Sequence, residues 1–244
     1  MSLRLFELAG ADESRRFSPY CWRTCMALAH KGLAWETIPW RFAEKDRIAP
    51  YGSQTVPVLL DGGTAIVDSW NIARHLDEKY ADRPPLFDSE AARAEGLFIK
   101  LWTERTLHPL ITRIAVRDIV DVLHEGDRDY FRASREKRLG RPLEAVVADR
   151  DRTAASFREA LEPLRAMLAV QRFIGGAAPN YADYTVFGAF MWARGVSPFP
   201  LLAVDDPVYE WRDRLLNAFD GLAARSTGFP PQPQVPSSQP RPTT

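Results

Sequence analysis

Cysteine is nearly absent from this chain, with two in 244 residues, and that scarcity already narrows the field. Cys21 and Cys25 stand four residues apart on what reads as one helix, where neighbouring Cβ atoms lie roughly 5–6 Å apart. A disulfide wants about 3.5–4.5 Å. The pair therefore reads as free thiols, which fits a reducing compartment and a cytoplasmic protein. Histidine is also scarce. His30, His75, His108 and His124 are scattered without the spacing of a metal site, so no metal is expected. Charge of one sign is missing too: 32 basic and 32 acidic residues balance, which removes a general basic field for nucleic acid or an anionic membrane. The longest apolar run, around Val186 to Ala193, is far short of the roughly 20 residues a membrane helix needs. The N-terminal stretch MSLRLFELAGADESRR lacks the apolar region of a secretory leader. Neither a P-loop nor a GxGxxG fingerprint occurs, and no internal repeat is visible.

What is there reads as a globular chain, 45% hydrophobic and 26% charged, long enough for one large or two small cores. Leu3 to Leu8 is a plausible first strand. Ser18-Pro19 then opens a helix running to about Lys31: serine is a good N-cap, and proline at the first helical position gives up a donor the helix would not use. His30 and Lys31 suit the negative helix end, and Gly32 suits a left-handed stop. Trp35 to Trp40, rich in aromatic and branched residues, reads as a second strand. Thr55 to Asp61 and Ala65 to Val67, joined across Gly62-Gly63, read as a hairpin. Asp68-Ser69 starts a helix with Ile72, Leu76 and Tyr80 on one stripe. The order β-α-β, connection, β-β-α is the thioredoxin-like arrangement.

Asp82-Arg83-Pro84-Pro85 breaks that helix and reads as a linker. From Ser89 to about Arg225 no strand alternation is found, and long amphipathic stretches point to a helical bundle. Within it, Asn180-Tyr181-Ala182-Asp183 reads as a capping box: Asn180 is the N-cap and the Asp183 carboxylate reaches back to it. From Ser226 the composition turns to Pro, Ser, Gln and Thr, as in a flexible tail. The expected division is therefore 1–82 as an α/β thioredoxin-like domain, 83–88 as a linker, 89–225 as an all-α domain and 226–244 as the tail.

Three local features carry chemistry. Ser18 places a hydroxyl where a helix start offers free N–H groups and positive potential, a setting that stabilises a thiolate. Taken alone, the same serine is explained by capping. Val56-Pro57 stands just before a strand, where proline cannot join the ladder. A cis bond there would expose the Val56 N–H and C=O to a peptide-like ligand. Asp68-Ser69 at a helix start could grip an α-amino and α-carboxylate pair, or merely cap.

In this order, the three features resemble the glutathione transferases. Phe173-Ile174-Gly175-Gly176 followed by Asn180-Tyr181-Ala182-Asp183 also looks like that family's signature in its helical domain. The resemblance covers about residues 3 to 225. It implies that Ser18 activates the glutathione thiol and that Val56-Pro57 is cis and pairs with the cysteinyl backbone. It also implies that Asp68 and Ser69 hold the γ-glutamyl end. Ser-Pro-Tyr-x-x-Arg, Asp-Ser-Trp, Asp-Glu-Lys-Tyr and the run Tyr130 to Glu136 look closest to bacterial β-etherases of lignin breakdown and fungal etherase-like transferases. Glutathione as co-substrate, a small aromatic electrophile, β-aryl ether cleavage as one version of the reaction, and a homodimer follow as expectations from the resemblance.

The pattern departs from the family at glutathione's glycyl carboxylate. Gln54 and Thr55 stand near the usual place, and Arg41, Lys45 and Arg47 are unranked candidates. Tyr20, Trp102, Phe187, Trp192 and Trp211 are candidate aromatic lining for an acceptor pocket, or plain core. Cys21, one turn into the first helix, is the rival nucleophile of a thiol transferase. A non-catalytic ligand carrier on the same fold is the reading from a different class.

Overall fold

The computed structural model describes residues 3–203 and 205–230. Four strands build the first domain: β1 (Leu3–Leu8), β2 (Trp35–Trp40), β3 (Val58–Asp61) and β4 (Thr64–Val67). They lie in the order β2-β1-β3-β4. β1 and β2 are parallel, with Leu3 opposite Trp35 and Leu8 opposite Trp40, while β3 is antiparallel to both β1 and β4. Parallel pairing needs a crossover, and α1 (Pro19–His30) supplies it. Leu3, Leu5, Phe6 and Leu8 are all buried, as expected of a strand covered on both faces. α2 (Ser69–Lys79) follows the hairpin. Ser18 caps α1 as its sequence predicts, and Gly32, just past the helix, has φ +63°.

The second domain is helical. It runs through α3 (Glu90–Trp102), α4 (His108–Val122), α5 (Glu125–Leu139), α6 (Leu143–Val146), α7 (Arg150–Ala160), α8 (Glu162–Leu168), α9 (Tyr181–Val196) and α10 (Val208–Leu216). Among the described residues no helix is long and apolar enough to cross a membrane. α3 and α4 are joined by a π-helical turn, Thr103–Leu107. Pro109 accounts for it: the missing N–H leaves the Arg105 carbonyl without its regular partner and the ring crowds that carbonyl.

α9 is the spine of the molecule, buried on nearly every side. Its capping box forms as read from the sequence: Asn180 accepts from the Ala182 N–H, and Asp183 accepts from the Asn180 N–H at 3.1 Å. Asp183 also accepts from Ile174 N (2.8 Å), Gly175 N (2.9 Å) and Trp211 Nε1 (2.8 Å). One carboxylate therefore joins α9 to the preceding loop and to α10. Two glycines let α9 approach the first domain. A Cβ on Gly188 would lie 2.5 Å from the Pro19 carbonyl oxygen, and one on Gly195 would lie 2.6 Å from Phe17 Cβ. Any larger residue would push α9 off the start of α1.

Residues 226–230, read from composition as the beginning of a flexible tail, are pinned. The Phe229 N–H donates to the Arg194 carbonyl at 2.8 Å, Arg194 donates to Ser226 Oγ, and Arg15 sits 5.2 Å from the Phe229 ring. Proline-rich composition lowers the tendency to bury surface, but it does not prevent one aromatic from docking under an arginine. The rest of the tail, 231–244, lies outside the described residues.

Candidate active site

Sheet topology brings the three motifs together. In register, Phe6 of β1 pairs with Val58 of β3, which pairs with Val67 of β4. The C-terminal end of β1, the N-terminal end of β3 and the C-terminal end of β4 therefore share one end of the sheet. The loop to Ser18, the Val56-Pro57 peptide and Asp68-Ser69 all emerge there. The C-terminal end of β2, leading to Phe42, joins them because β2 is parallel to β1.

Ser18 is buried, with extended backbone, and its Oγ accepts from the Cys21 N–H at 3.3 Å. Among the described residues its hydroxyl proton has no oxygen or nitrogen acceptor, and the neighbouring Cys21 thiol is the group it acts on. Pro19 has no N–H, so Tyr20 presents the first free donor of α1. The β1–α1 loop is held against the end of α4: the Ala11 N–H donates to the Val122 carbonyl at 2.9 Å, and a Cβ on Gly10 would lie 2.6 Å from that oxygen.

The Val56-Pro57 peptide is cis, and Val56 makes no backbone hydrogen bond among the described residues. Asp68 has φ +73° and ψ 132°, a strained backbone conformation outside the left-handed helical region. Its carboxylate accepts from the Trp70 N–H (2.9 Å) and the Asn71 N–H (3.2 Å). Ser69 is buried, and its Oγ has no partner among the described residues. A buried hydroxyl left so costs about 1–3 kcal/mol. From the helical domain, Tyr181 donates to the Ser69 carbonyl at 2.8 Å, with its ring edge-on to Trp70.

Cys21 behaves differently from a helix-start thiol. It is fully buried, and burial, then the nearby Glu7 carboxyl, push its thiol up to about 12. Cys25 is also raised, by burial and then by Glu7, to which it donates at 3.1 Å. Burial in turn raises Glu7, although Cys25 and Thr37 donate to it. Both cysteines are free. The first turn of a helix lowers a thiol only where water or a cation can reach it, and Cys21 faces the sheet.

The sequence had no signal for the polar seam beside this cleft. Arg23 is completely buried, donates to Glu104 at 2.7 Å and lies 4.8 Å from the Tyr20 ring centroid. Its Nε and Nη2 have no partner among the described residues. Burial pushes the Glu104 carboxyl up, but hydrogen bonds from Lys100 and Arg23 outweigh it and leave it below the ordinary carboxylate value. His108 is buried with Nδ1 3.5 Å from the Tyr20 hydroxyl and its ring edge-on to Trp192. Burial, then the Arg23 charge, hold its pKa down at about 3.

Of the aromatic candidates, Phe187 and Trp211 are core, whereas Tyr20, Trp102 and Trp192 keep some exposure. Of the cations considered for a glycyl carboxylate, Arg41 is paired with Glu13 at 3.1 Å and Arg47 with Glu44 at 2.7 Å. Lys45 lies 4.8 Å from the Tyr130 ring centroid and has no carboxylate partner among the described residues.

A family model for the N-terminal domain of glutathione S-transferases matches residues 17–79, and one for their C-terminal domain matches residues 95–200. The glutathione S-transferase-like protein ustS of Aspergillus flavus is 30% identical over 146 residues, 53% of this chain and 51% of that protein. Glutathione S-transferase Z1 of Arabidopsis thaliana is 45% identical over 71 residues, 26% of this chain and 31% of its own length. The matched part of this chain thus spans about half or less of those relatives. A glutathione S-transferase of Ceriporiopsis subvermispora, solved in complex with glutathione, superposes with TM-score 0.76 at 22% identity, covering 90% of this chain and 97% of that one. The glutathione transferase GSTFuA3 of Phanerochaete chrysosporium gives 0.73 at 22% identity, covering 91% and 92%. At that identity the structural likeness is one of fold. With the two family models matched in order over residues 17–79 and 95–200, this chain belongs to the glutathione S-transferase family.

Proposed function

We propose that the protein binds glutathione at the sheet end, stabilises its thiolate and directs it onto an aromatic electrophile. The observation that carries this reading is the convergence of Ser18, Val56-Pro57 and Asp68-Ser69 at one sheet end, with the Ser69 hydroxyl buried and without a partner among the described residues. The γ-glutamyl end of glutathione would supply a partner for Ser69, and Asp68 the counter-charge for its ammonium. The Val56 main chain would pair with the cysteinyl backbone. The Ser18 proton would be donated to the sulfur, with the Tyr20 N–H and the helix start adding positive potential.

The thiol proton leaves to solvent as the thiolate forms. The sulfur then makes a C–S bond to the electrophilic carbon, and the leaving group departs with its electron pair. In the β-aryl ether version that group is an aryloxide. The protein's part is thiolate stabilisation and alignment.

The thiol-transferase reading is weaker, since Cys21 is buried and its pKa is about 12. A ligand carrier would hold glutathione without turnover. Ser18→Ala should lower turnover of a generic aromatic electrophile on the order of a hundredfold. It should also raise the pKa of bound glutathione by about one to two units, the loss of one charge-assisted hydrogen bond. Thiolate absorbance against pH and steady-state rates read both. If Cys21→Ser abolishes activity and a mixed disulfide forms at Cys21, the thiol-transferase reading replaces this one. Turnover of β-aryl ether model compounds, tested as separate stereoisomers, decides the etherase version.

A homodimer belongs to the same proposal. On α3, Leu97, Phe98 and Leu101 are exposed, Phe98 by 69%, a stripe that a second copy would cover. Phe98→Glu should shift sedimentation from dimer to monomer at micromolar concentration. A wild-type monomer refutes the expectation.

A further inference from the structure

We propose that helix α5 supplies a carboxylate-recognition wall to this cleft, in which Arg135 and Arg138 select aromatic acceptors bearing a carboxylate. The inference rests on the glutathione-transferase reading and adds the substrate class to it.

α5 is attached over the same end of the sheet as Ser18. Asp127, buried in its first turn, accepts from the Phe42 N–H at 3.2 Å and the Ala43 N–H at 2.8 Å, just beyond β2. One turn on, Phe131 packs against Phe42 with centroids 5.6 Å apart. The Arg135 guanidinium lies on both rings, 4.7 Å from Phe131 and 5.3 Å from Phe42. Arg138 follows at i+3 on the same face. Burial and then Glu104 raise the pKa of the Tyr20 hydroxyl, two residues past Ser18, and the Arg138 charge is the least of the influences opposing them.

The pairing pattern separates these cations from their neighbours. Arg132, three residues before Arg135, is bound to Glu136 and Glu144 at 3.0 and 2.9 Å. Arg41 and Arg47 each have a carboxylate as well. Among the described residues Arg135 and Arg138 have none, and the side-chain bond from Arg135 goes to Ser134 Oγ at 2.8 Å. The negative end of a helix accounts for cations in its last turn such as Lys137 and Arg138. It does not account for a guanidinium stacked over two rings, where burial and then the neighbouring Arg138 make its charge costlier to hold. A planar cation backed by aromatic rings offers its fork to a carboxylate while the rings meet an aromatic body. An acceptor such as a carboxylated aryl halide or aryl ether matches both.

Steady-state rates with glutathione and 4-chloro-3-nitrobenzoate, against the neutral 4-chloro-3-nitrobenzamide, test this. In each reaction the glutathione sulfur bonds to C4 and chloride leaves with the C–Cl pair. Wild type should favour the benzoate. Arg135→Met and Arg138→Met should each shrink the benzoate-to-amide ratio of kcat/KM by about tenfold or more, the loss of a charge-assisted hydrogen bond. Arg135→Lys should restore part of it, which a misfolded variant would not. A rise in KM for glutathione with both acceptors would give the arginines to glutathione's own glycyl carboxylate and overturn the proposal. An unchanged ratio would do the same. Calorimetric binding of the two ready-made S-aryl glutathione conjugates reads the preference without turnover. If both bind wild type equally, this inference alone fails. If neither conjugate nor glutathione binds, the function proposed above fails with it.

Discussion

His108 should make the protein acid-labile within a defined window. The side chain is 7% exposed at the start of α4, and its Nε2 has no hydrogen-bond partner among the described residues. Arg23, Glu104 and Lys100 supply the charges that face it. Glu104 would welcome a proton on the imidazole, but it already serves Arg23 and Lys100. Burial and Arg23 therefore hold the folded pKa at about 3, against 6.5 for a free histidine. A base whose folded pKa is depressed binds its proton in the unfolded chain first. Stability is thus unaffected above about pH 7 and falls as pH drops through 6.5 towards 3. At pH 5 one such group costs about 2 kcal/mol, since each unit is worth about 1.36 kcal/mol. For a chain of this size that is a melting shift of about 4–8 °C.

The perturbation is His108→Phe, which keeps the ring edges against Tyr20 and Trp192 and removes the titration. Urea unfolding of both proteins between pH 7.5 and 5.0 gives the difference in free energy at each pH. Other titrating groups, Glu7 among them, largely cancel in that difference. The gap should move by about 2 kcal/mol in favour of the variant as pH falls. Parallel profiles, or an imidazole NMR titration near 6.5 in the folded protein, would refute the reasoning.

Two further outcomes follow from the packing. Asp183→Ala leaves four donors, from Ile174, Gly175, Asn180 and Trp211, without their acceptor. It should cost about 3–5 kcal/mol, against about 1–3 kcal/mol for Trp211→Phe; thermal unfolding of the two variants checks the order. Truncation after Arg225 should lower the melting temperature by about 2–8 °C relative to truncation after Pro230. It removes the Phe229 contacts with Arg15 and Arg194, together about 1–2 kcal/mol. Equal melting of the two truncated proteins would show that those contacts add nothing.

Sequence alone determined the elements whose causes are local. Ser18-Pro19 and Gly32 bracket α1 because capping and left-handed stops act within one turn. The β2 boundaries, the hairpin across Gly62-Gly63 and the Asn180–Asp183 box are equally short-range. Even the three features proposed to hold glutathione are local ones, since each is a helix start or strand entry of a few residues. Tertiary structure decided what each group can do. Cys21 and Ser18 sit one turn apart, yet one faces the packed sheet and the other has no oxygen or nitrogen acceptor for its hydroxyl proton among the described residues, and sequence spacing does not carry that distinction. Arg23 meets Glu104 across 81 positions, and α5 reaches the cleft because Asp127 binds backbone some 84 positions earlier. Arg132 and Arg135 are alike in sequence, and only packing pairs one with glutamates while setting the other on two rings. Hydrogen bonds within a turn are specified by neighbours, whereas burial and charge pairing depend on which distant surfaces the chain brings into contact.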